Sequence, residues 1–333
     1  MAQFWLSGQI DSDMDFSMKH PLPSPARPLK IGTRGSPLAL AQAHETRARL
    51  AAALDLPSEA FEIVVISVLG DRVQDRALKE IGGKGLFTRE IEQEMLDGKI
   101  DIAVHSMKDM PTEQPPGLLL DCYLPREDVR DAFVCLAGGD WTGLGLGAVV
   151  GTSSLRRKAQ LLNRRPDLEV IEFRGNVQTR LKKLGDGVAV ATFLAMAGLR
   201  RLKMDDVPHA AIGADAMLPA VAQGAIGIER RADDARVAMM LEAIHDGPTG
   251  QRLAAERAFL MALDGSCETP IAALAELSGG TLRLRGEILR IDGSECLADE
   301  TSGAISDGPE MGRAMAARLL AKAGPGFFDW RQG

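Results

Sequence analysis

The sequence predicts two α/β units followed by a small α+β unit, and three observations carry that reading. Through the first two thirds of the 333 residues, short runs rich in β-branched residues alternate with helical patterns. One strand–turn–helix pattern occurs twice, as IGTRGSPLALAQ from Ile31 and as VVGTSSLRRKAQ from Val149, which suggests two similar units facing each other. From about Pro248 the pattern changes to one helix and three alternating runs.

The elements follow in order. Met1 to about Arg27 reads as a loose extended tail without catalytic residues, because it carries Pro21, Pro23, Pro25, Asp11, Asp13 and Asp15. It lacks the basic start and apolar stretch of a signal peptide and the Arg-rich character of a transit peptide, so a cytoplasmic location is expected. Pro28 to Ile31 predicts a short strand ending in Gly32-Thr33-Arg34-Gly35-Ser36-Pro37. Ser36 as N-cap and Pro37 at the first helical position then start a helix to about Leu54. Phe61 to Val68 predicts a buried strand. Gly82-Gly83-Lys84-Gly85 precedes an amphipathic helix that Gly98 closes. Ile100 to Ser106 predicts a strand running into the loop Met107-Lys108-Asp109-Met110-Pro111.

The second unit repeats the scheme. AVVGT from Ala148 predicts a strand, Ser153-Ser154 the turn and LRRKAQLLNRR the helix. Leu168 to Phe173 is the next strand, Arg174-Gly175-Asn176 the next turn and VQTRLKKL the next helix. Val188 to Phe193 is a third strand. In the last part, QRLAAERAFLMAL predicts a helix leading to a loop around Cys267. PIAALAEL, TLRLRGEILR and ECLADE then predict a three-stranded antiparallel meander, and a final helix covers about Glu310 to Lys322.

Composition narrows the function. No apolar run reaches the roughly 18 residues of a membrane span. The formal net charge is -7, yet Gly151 to Lys203 holds 12 Lys plus Arg against 4 Asp plus Glu, a local balance of +8. An acidic chain with one strongly basic segment points to an anionic ligand. Aromatic residues make up 4% of the chain, too few for a nucleic-acid stacking platform. Gly83-Lys84 is not a phosphate-binding loop, because Leu78 stands at the first glycine position and Gly85 where Ser or Thr should follow. The five histidines show no metal-ligand spacing, and only His105, at a strand end, lies where a ligand would bind.

Three helix starts share one design, in which a strand end and small residues precede a basic or hydroxyl side chain. They are Thr33-Arg34-Gly35-Ser36, Gly82-Gly83-Lys84, and Thr152-Ser153-Ser154 with Arg156 and Arg157. Free N–H groups and the helix dipole attract anions there, and an adjacent Arg adds a bidentate grip. With Arg174 and Arg180 they suggest a ligand with several negative groups. Asp109 lies just past a strand end, where open α/β sheets place their ligands, with Lys108 beside it. Cys122 and Cys135 sit in apolar stretches and read as small core residues, whereas Cys267 sits in a loop compatible with a reactive thiol.

From about Leu29 onward, TRGSPLALAQA, GGKGLFTREIE, DIAVHSMKDMPTE, VVGTSSLRRKAQL, FRGNVQTRLKKL, LPAVAQGAIGIE and DGSCETPIA resemble the porphobilinogen deaminase family, in that family's order. The resemblance implies two periplasmic-binding-protein-like α/β domains around a cleft and a small C-terminal α+β domain with a three-stranded antiparallel sheet. The expected division is a tail at 1–27, a first domain at 28–124 plus 225–243, a second at 128–220 and a third at 247–333. It also implies a dipyrromethane cofactor on a thioether to Cys267, to which four porphobilinogen units are added with loss of ammonia before hydroxymethylbilane is released by hydrolysis. Asp109 is then the catalytic carboxylate. Arg34, Ser36, Lys84, Lys108, Thr152, Ser154, Arg156, Arg157, Arg174, Arg180 and Arg201 are expected to bind substrate and cofactor carboxylates, and no metal is expected. At two places the chain departs from the family's usual pattern, with Glu80 where a Lys often stands and Gly265-Ser266-Cys267 in place of Gly-Gly-Cys. The implied partners are porphobilinogen and a uroporphyrinogen-III synthase that takes the product, with no nucleic acid, no membrane and a monomeric chain. The rival reading is an anion-binding module of the same architecture without catalysis.

Overall fold

A computed structural model describes residues 21–72, 88–265, 269–324 and 326–328. The expectations for residues 1–20, for Lys84 with its glycine turn, for Glu80 and for Cys267 lie outside the described residues. Within the segment expected as tail, Ser24 and Arg27 exchange two backbone hydrogen bonds at 3.1 and 2.9 Å.

Two five-stranded sheets carry the first two thirds. The first contains β1 (Leu29–Arg34), β2 (Phe61–Ile66), β3 (Ile102–Ser106), β4 (Leu118–Tyr123) and β10 (Ile226–Arg231), in the order β2-β1-β3-β10-β4. The second contains β5 (Asp131–Val134), β6 (Val149–Gly151), β7 (Glu169–Ile171), β8 (Ala191–Ala195) and β9 (His209–Ala211), in the order β7-β6-β8-β5-β9. Each sheet has three parallel strands, then an antiparallel fourth that pairs with an edge strand. The strands that open the repeated sequence pattern, β1 and β6, hold the same second place in the two sheets.

The antiparallel strands are exchanged between the units in sequence. The chain leaves β4 for β5 through residues 124–130 and returns from β9 to β10 through residues 212–225, so two passages join the sheets. The sequence reading gave no strand at β4, β5, β9 or β10. Their signals were the short apolar runs LLLDCY, DAFV, HAA and IGIE, too brief to separate from loops without partners. The strand expected from Val188 begins instead at Ala191, because Val188 N–H bonds to Lys183 O at 3.0 Å in closing the preceding helix.

Apolar side chains fill both faces of each sheet. Leu29, Ile31, Ile102 and Ile228 pack under the Pro37–Leu54 helix, while Ile66 and Ala103 pack on the opposite face against Ile91 and Met95 of the Arg89–Leu96 helix. Phe133, Val150 and Phe193 fill one face of the second sheet, and Ala132, Val134 and Phe173 the other. Burial on both faces is what helix-covered sheets require.

The third unit is a meander of β11 (Ile271–Ser278), β12 (Thr281–Leu289) and β13 (Cys296–Ala304), in order β11-β12-β13. Helices Gly247–Ala262 and Gly308–Lys322 cover it. Alternation along β12 puts Leu282, Leu284 and Ile288 into its core. That core continues through Val221, Ala222 and Ala225 of the return passage to Met107 and Met110. The turn that carries Asp109 is therefore anchored by the third unit as well as the first.

Candidate active site

A cleft of about 700 Å³ lies between the two sheets and is closed on one side by the third unit. Carboxyl ends of parallel strands supply its walls, as expected for open α/β sheets. β1 ends at Arg34, and Gly35 and Ser36 begin the next helix. The Ser36 hydroxyl accepts from Ala39 N–H at 3.3 Å, so its own hydrogen stays available for a ligand. β3 ends at Ser106, whose hydroxyl is paired with the Gln42 amide at 2.8 Å, and a single 3-10 turn, Met107–Asp109, follows.

That turn is locked from two sides. Met107 N–H donates to Ala225 O at 3.1 Å, and Met110 N–H to Met107 O at 3.2 Å. Gly227 on β10 makes room for Met107, since a Cβ there would stand 2.1 Å from its sulfur. Asp109 consequently projects into the cleft, with Oδ2 3.9 Å from Arg34 Nη1. Lys108 also lines the cleft, and its ammonium is pushed down to about 8. Burial is the main cause, Arg157 adds repulsion, and Asp109 and Asp131 offset only part of it.

On the opposite wall, β6 leads through Thr152 and Ser153 to Ser154, the N-cap of the Leu155–Arg164 helix, which accepts from Arg157 N–H at 3.4 Å. Arg156 and Arg157 sit in the first turn of that helix and line the cleft although they are almost wholly buried. Both are tied to Asp131, at 2.8 Å from Arg156 Nη1 to Oδ2 and 2.7 Å from Arg157 Nη2 to Oδ1. Burial alone would raise the Asp131 pKa, but the two guanidiniums overcome it and hold the carboxyl ionised, well below its usual range. Arg174 and Arg180 complete the wall. The Arg180 guanidinium donates to Gly175 O at 3.0 Å and is lowered to about 10, first by burial and then by Arg157.

The cleft thus gathers six cationic side chains, Arg34, Lys108, Arg156, Arg157, Arg174 and Arg180, and Asp109 is the one carboxylate among its described lining residues. Two expected contacts are placed elsewhere. Thr152 is buried behind the turn, where its hydroxyl accepts from Ser154 N–H at 3.2 Å and shapes the helix start. Arg201 ends the short Met196–Arg201 helix and donates to Gly224 O at 2.9 Å, with Glu45 of the first unit 3.4 Å away. It stands between the return passage and the first unit's helix, and neither Gly224 nor Glu45 is among the residues that line the cleft.

The sequence reading missed Asp131 and Gln223. Asp131 opens DAFVCLA, a stretch read only as the apolar setting of Cys135, and its arginine partners lie 25 and 26 residues away. His105 lines the cleft wall, but its Nε2 is paired with buried Glu229 Oε2 at 3.1 Å. Among the described residues, no three His, Cys, Asp or Glu side chains are arranged to hold a metal ion, and no helix is long and apolar enough to cross a membrane.

The described cysteines are buried or partly buried. Burial pushes the Cys122 thiol up to about 12 and the Cys296 thiol up to about 11. The segment that bears Cys267 runs between Gly265 and Thr269, and Thr269 lines the cleft.

Comparison with known proteins bears on this geometry. A sequence family described as "Porphobilinogen deaminase, dipyromethane cofactor binding domain" matches residues 29–239, and "Porphobilinogen deaminase, C-terminal domain" matches residues 251–321. A curated relative from Paracoccus denitrificans, a porphobilinogen deaminase, is 67% identical over 309 residues, which is 93% of this chain and 99% of the relative. Among solved structures, an arginine-specific periplasmic binding protein of Salmonella typhimurium aligns with TM-score 0.38 and 13% identity over 66% of this chain and 91% of its own. A probable amino-acid transporter binding protein of Bacillus subtilis aligns with TM-score 0.39 and 15% identity over 69% of this chain and 97% of its own.

Proposed function

This chain belongs to the porphobilinogen deaminase family, and on that premise we propose how its residues divide the work of the reaction. The chain is a transferase of tetrapyrrole biosynthesis. It condenses four porphobilinogen molecules head to tail with loss of ammonia and releases hydroxymethylbilane by hydrolysis.

The carrying observation is a cleft in which, among the described residues, six cations surround a single carboxylate. Each pyrrole unit brings an acetate and a propionate, so the growing chain is a polyanion that matches this donor set. Arg34, Lys108, Arg156, Arg157, Arg174 and Arg180 bind those carboxylates, and the hydroxyls of Ser36 and Ser154 assist at the two helix starts. Lys84 joins them on the strength of the motif around it. Thr152 shapes the Ser154 turn, and Arg201 steadies the walls.

Asp109 is the catalytic carboxylate. Positive charge develops on porphobilinogen as ammonia leaves, and a carboxylate fixed in a partly desolvated cleft stabilises it. Asp109 can also take the proton that must leave after carbon–carbon coupling.

When bound, the dipyrromethane cofactor supplies the nucleophilic pyrrole carbon from which the product grows. Its pyrrole carboxylates suit the same cations. Cys267 is its thioether anchor. That assignment is supported by its place in the chain two residues before cleft-lining Thr269 and by the buried or half-buried setting of the other three cysteines. The three sheets and the two passages support a division near residues 28–124 plus 225–243, 128–220 and 247–333. A monomeric, cytoplasmic enzyme that passes its product to a uroporphyrinogen-III synthase completes the reading.

The test is the intact mass of the purified protein beside a Cys267→Ala variant. The expected result is a mass excess of two deaminated porphobilinogen units, absent in the variant. A wild-type chain that stays unmodified after incubation with porphobilinogen would overturn the anchor and leave an anion-binding module as the better account.

A further inference from the structure

Asp131 opens β5, where the first passage enters the second sheet, and it is wholly buried. Its oxygens are fully committed. Oδ2 accepts from Arg156 Nη1 at 2.8 Å, and Oδ1 accepts from Arg157 Nε at 3.1 Å, Arg157 Nη2 at 2.7 Å and Gln223 Nε2 at 3.0 Å. Backbone carbonyls take further donors, with Leu218 O 2.9 Å from Arg156 Nη1 and Phe193 O 2.9 Å from Arg157 Nη1. Arg156 Nε has no hydrogen-bond partner. Both arginines nevertheless line the cleft.

A carboxylate is also what the ligand would offer these guanidiniums. We propose that Asp131 is a positioning residue that acts through Arg156 and Arg157, a resident carboxylate that holds one edge of each guanidinium and competes with the ligand's carboxylates for the charge of the pair. The proposal rests on the functional reading above. Two guanidiniums buried side by side repel each other, and without a counter-charge they would splay or draw in a free anion. With Asp131 between them the pair keeps a net charge of one and a fixed geometry. It grips a polyanion without saturating, which suits a product that must move and finally leave. Gln223 stands on the return passage and also donates to Val129 O at 2.8 Å on the outgoing one. Gln223 thereby ties Asp131 to both passages.

The experiment compares wild type, Asp131→Asn and Asp131→Glu as purified, cofactor-bearing proteins. Cofactor loading is read by intact mass and turnover by steady-state kinetics with porphobilinogen, with succinate as the competing dicarboxylate. Removing the resident charge should make the Asn variant sensitive to succinate at a concentration about fivefold lower than wild type, the effect of roughly one ion-pair contribution. A defect that merely loosened the structure would not tighten anion binding. The Glu variant keeps the charge but displaces both guanidiniums by a methylene, so its kcat/KM should fall about tenfold while succinate sensitivity stays as in wild type.

A loaded Asn variant with wild-type succinate inhibition overturns the proposal. If the Asn variant fails to fold, the Glu variant decides, and a wild-type kcat/KM there overturns it equally. Should the wild type show no turnover, the family reaction fails for this chain. Succinate binding by calorimetry then still tests Asp131, and binding no tighter in the Asn variant sinks the proposal.

Discussion

Glu256 holds Arg126 in a buried ion pair, with Nη1 donating to Oε1 at 2.6 Å and Nη2 to Oε2 at 3.0 Å. The same carboxylate accepts Ala222 N–H at 2.7 Å and Ala275 N–H at 2.8 Å, and Arg126 Nε donates to Gln223 O at 2.9 Å. One side chain on the third unit's helix thus clamps both passages between the sheets and the first strand of the third sheet. Glu256→Gln would set an amide N–H₂ against N–H donors. It should cost about 3 kcal/mol, as when one member of a buried pair is removed. The melting temperature should drop by roughly 5–10 °C. A melt that matches wild type would show that the clamp contributes no stability.

Asp109 is partly exposed on a turn held by backbone bonds and by Met107, so truncating it removes charge without opening the core. Asp109→Ala should keep the wild-type melting curve and lose about 100-fold or more in kcat, the scale of a lost charge-stabilising group. Near-normal turnover by a folded variant would take the catalytic role away from Asp109.

Lys108 gives the cleft a pH dependence with a definite sign. Its folded-state value of about 8 lies below the ordinary 10.5, so above pH 8 the folded protein loses a proton that the unfolded chain still keeps. This group therefore adds stability as pH rises from about 8 toward 10.5, while its grip on carboxylates weakens over the same window. KM for porphobilinogen should rise as pH passes through about 8. Lys108→Arg, which stays charged, should move that rise to higher pH. An unchanged profile in the variant would assign the titration to another group.

Arg156→Leu should block cofactor assembly or early elongation, because it removes a cleft cation and leaves Asp131 with Arg157 and Gln223 alone. The stability cost should be about 3 kcal/mol for the broken buried pair. Mass spectrometry and a thermal melt read the two effects separately. A full cofactor complement with wild-type product yield would argue against a ligand role for Arg156.

Much of the site was legible in the sequence because its signals are local. Ser36, Ser154 and the turns around them announce helix starts through residues that cap them, and the structure finds both serines as caps. The basic balance of Gly151 to Lys203 pointed to the wall that now holds Arg156, Arg157, Arg174 and Arg180. Thr152 and Arg201, which the resemblance places among the carboxylate contacts, have protein partners of their own in the structure. Nothing near Arg201 in the chain reveals that Gly224 and Glu45 will take its guanidinium.

The sequence by itself determined the parallel strand–turn–helix steps of the two α/β units, the small antiparallel domain and the family, since periodicity, caps and motifs are written over short stretches. Tertiary structure alone decided which strand lies beside which, and so that β5 and β10 each run antiparallel to the three parallel strands of their sheet. It also decided that Asp131 neutralises part of the arginine pair and that Glu256 reaches Arg126 across 130 residues. The physical reason is that burial and charge pairing depend on distance in space. A carboxylate gains its partners only after the chain has folded back, and no window of the sequence is wide enough to hold both.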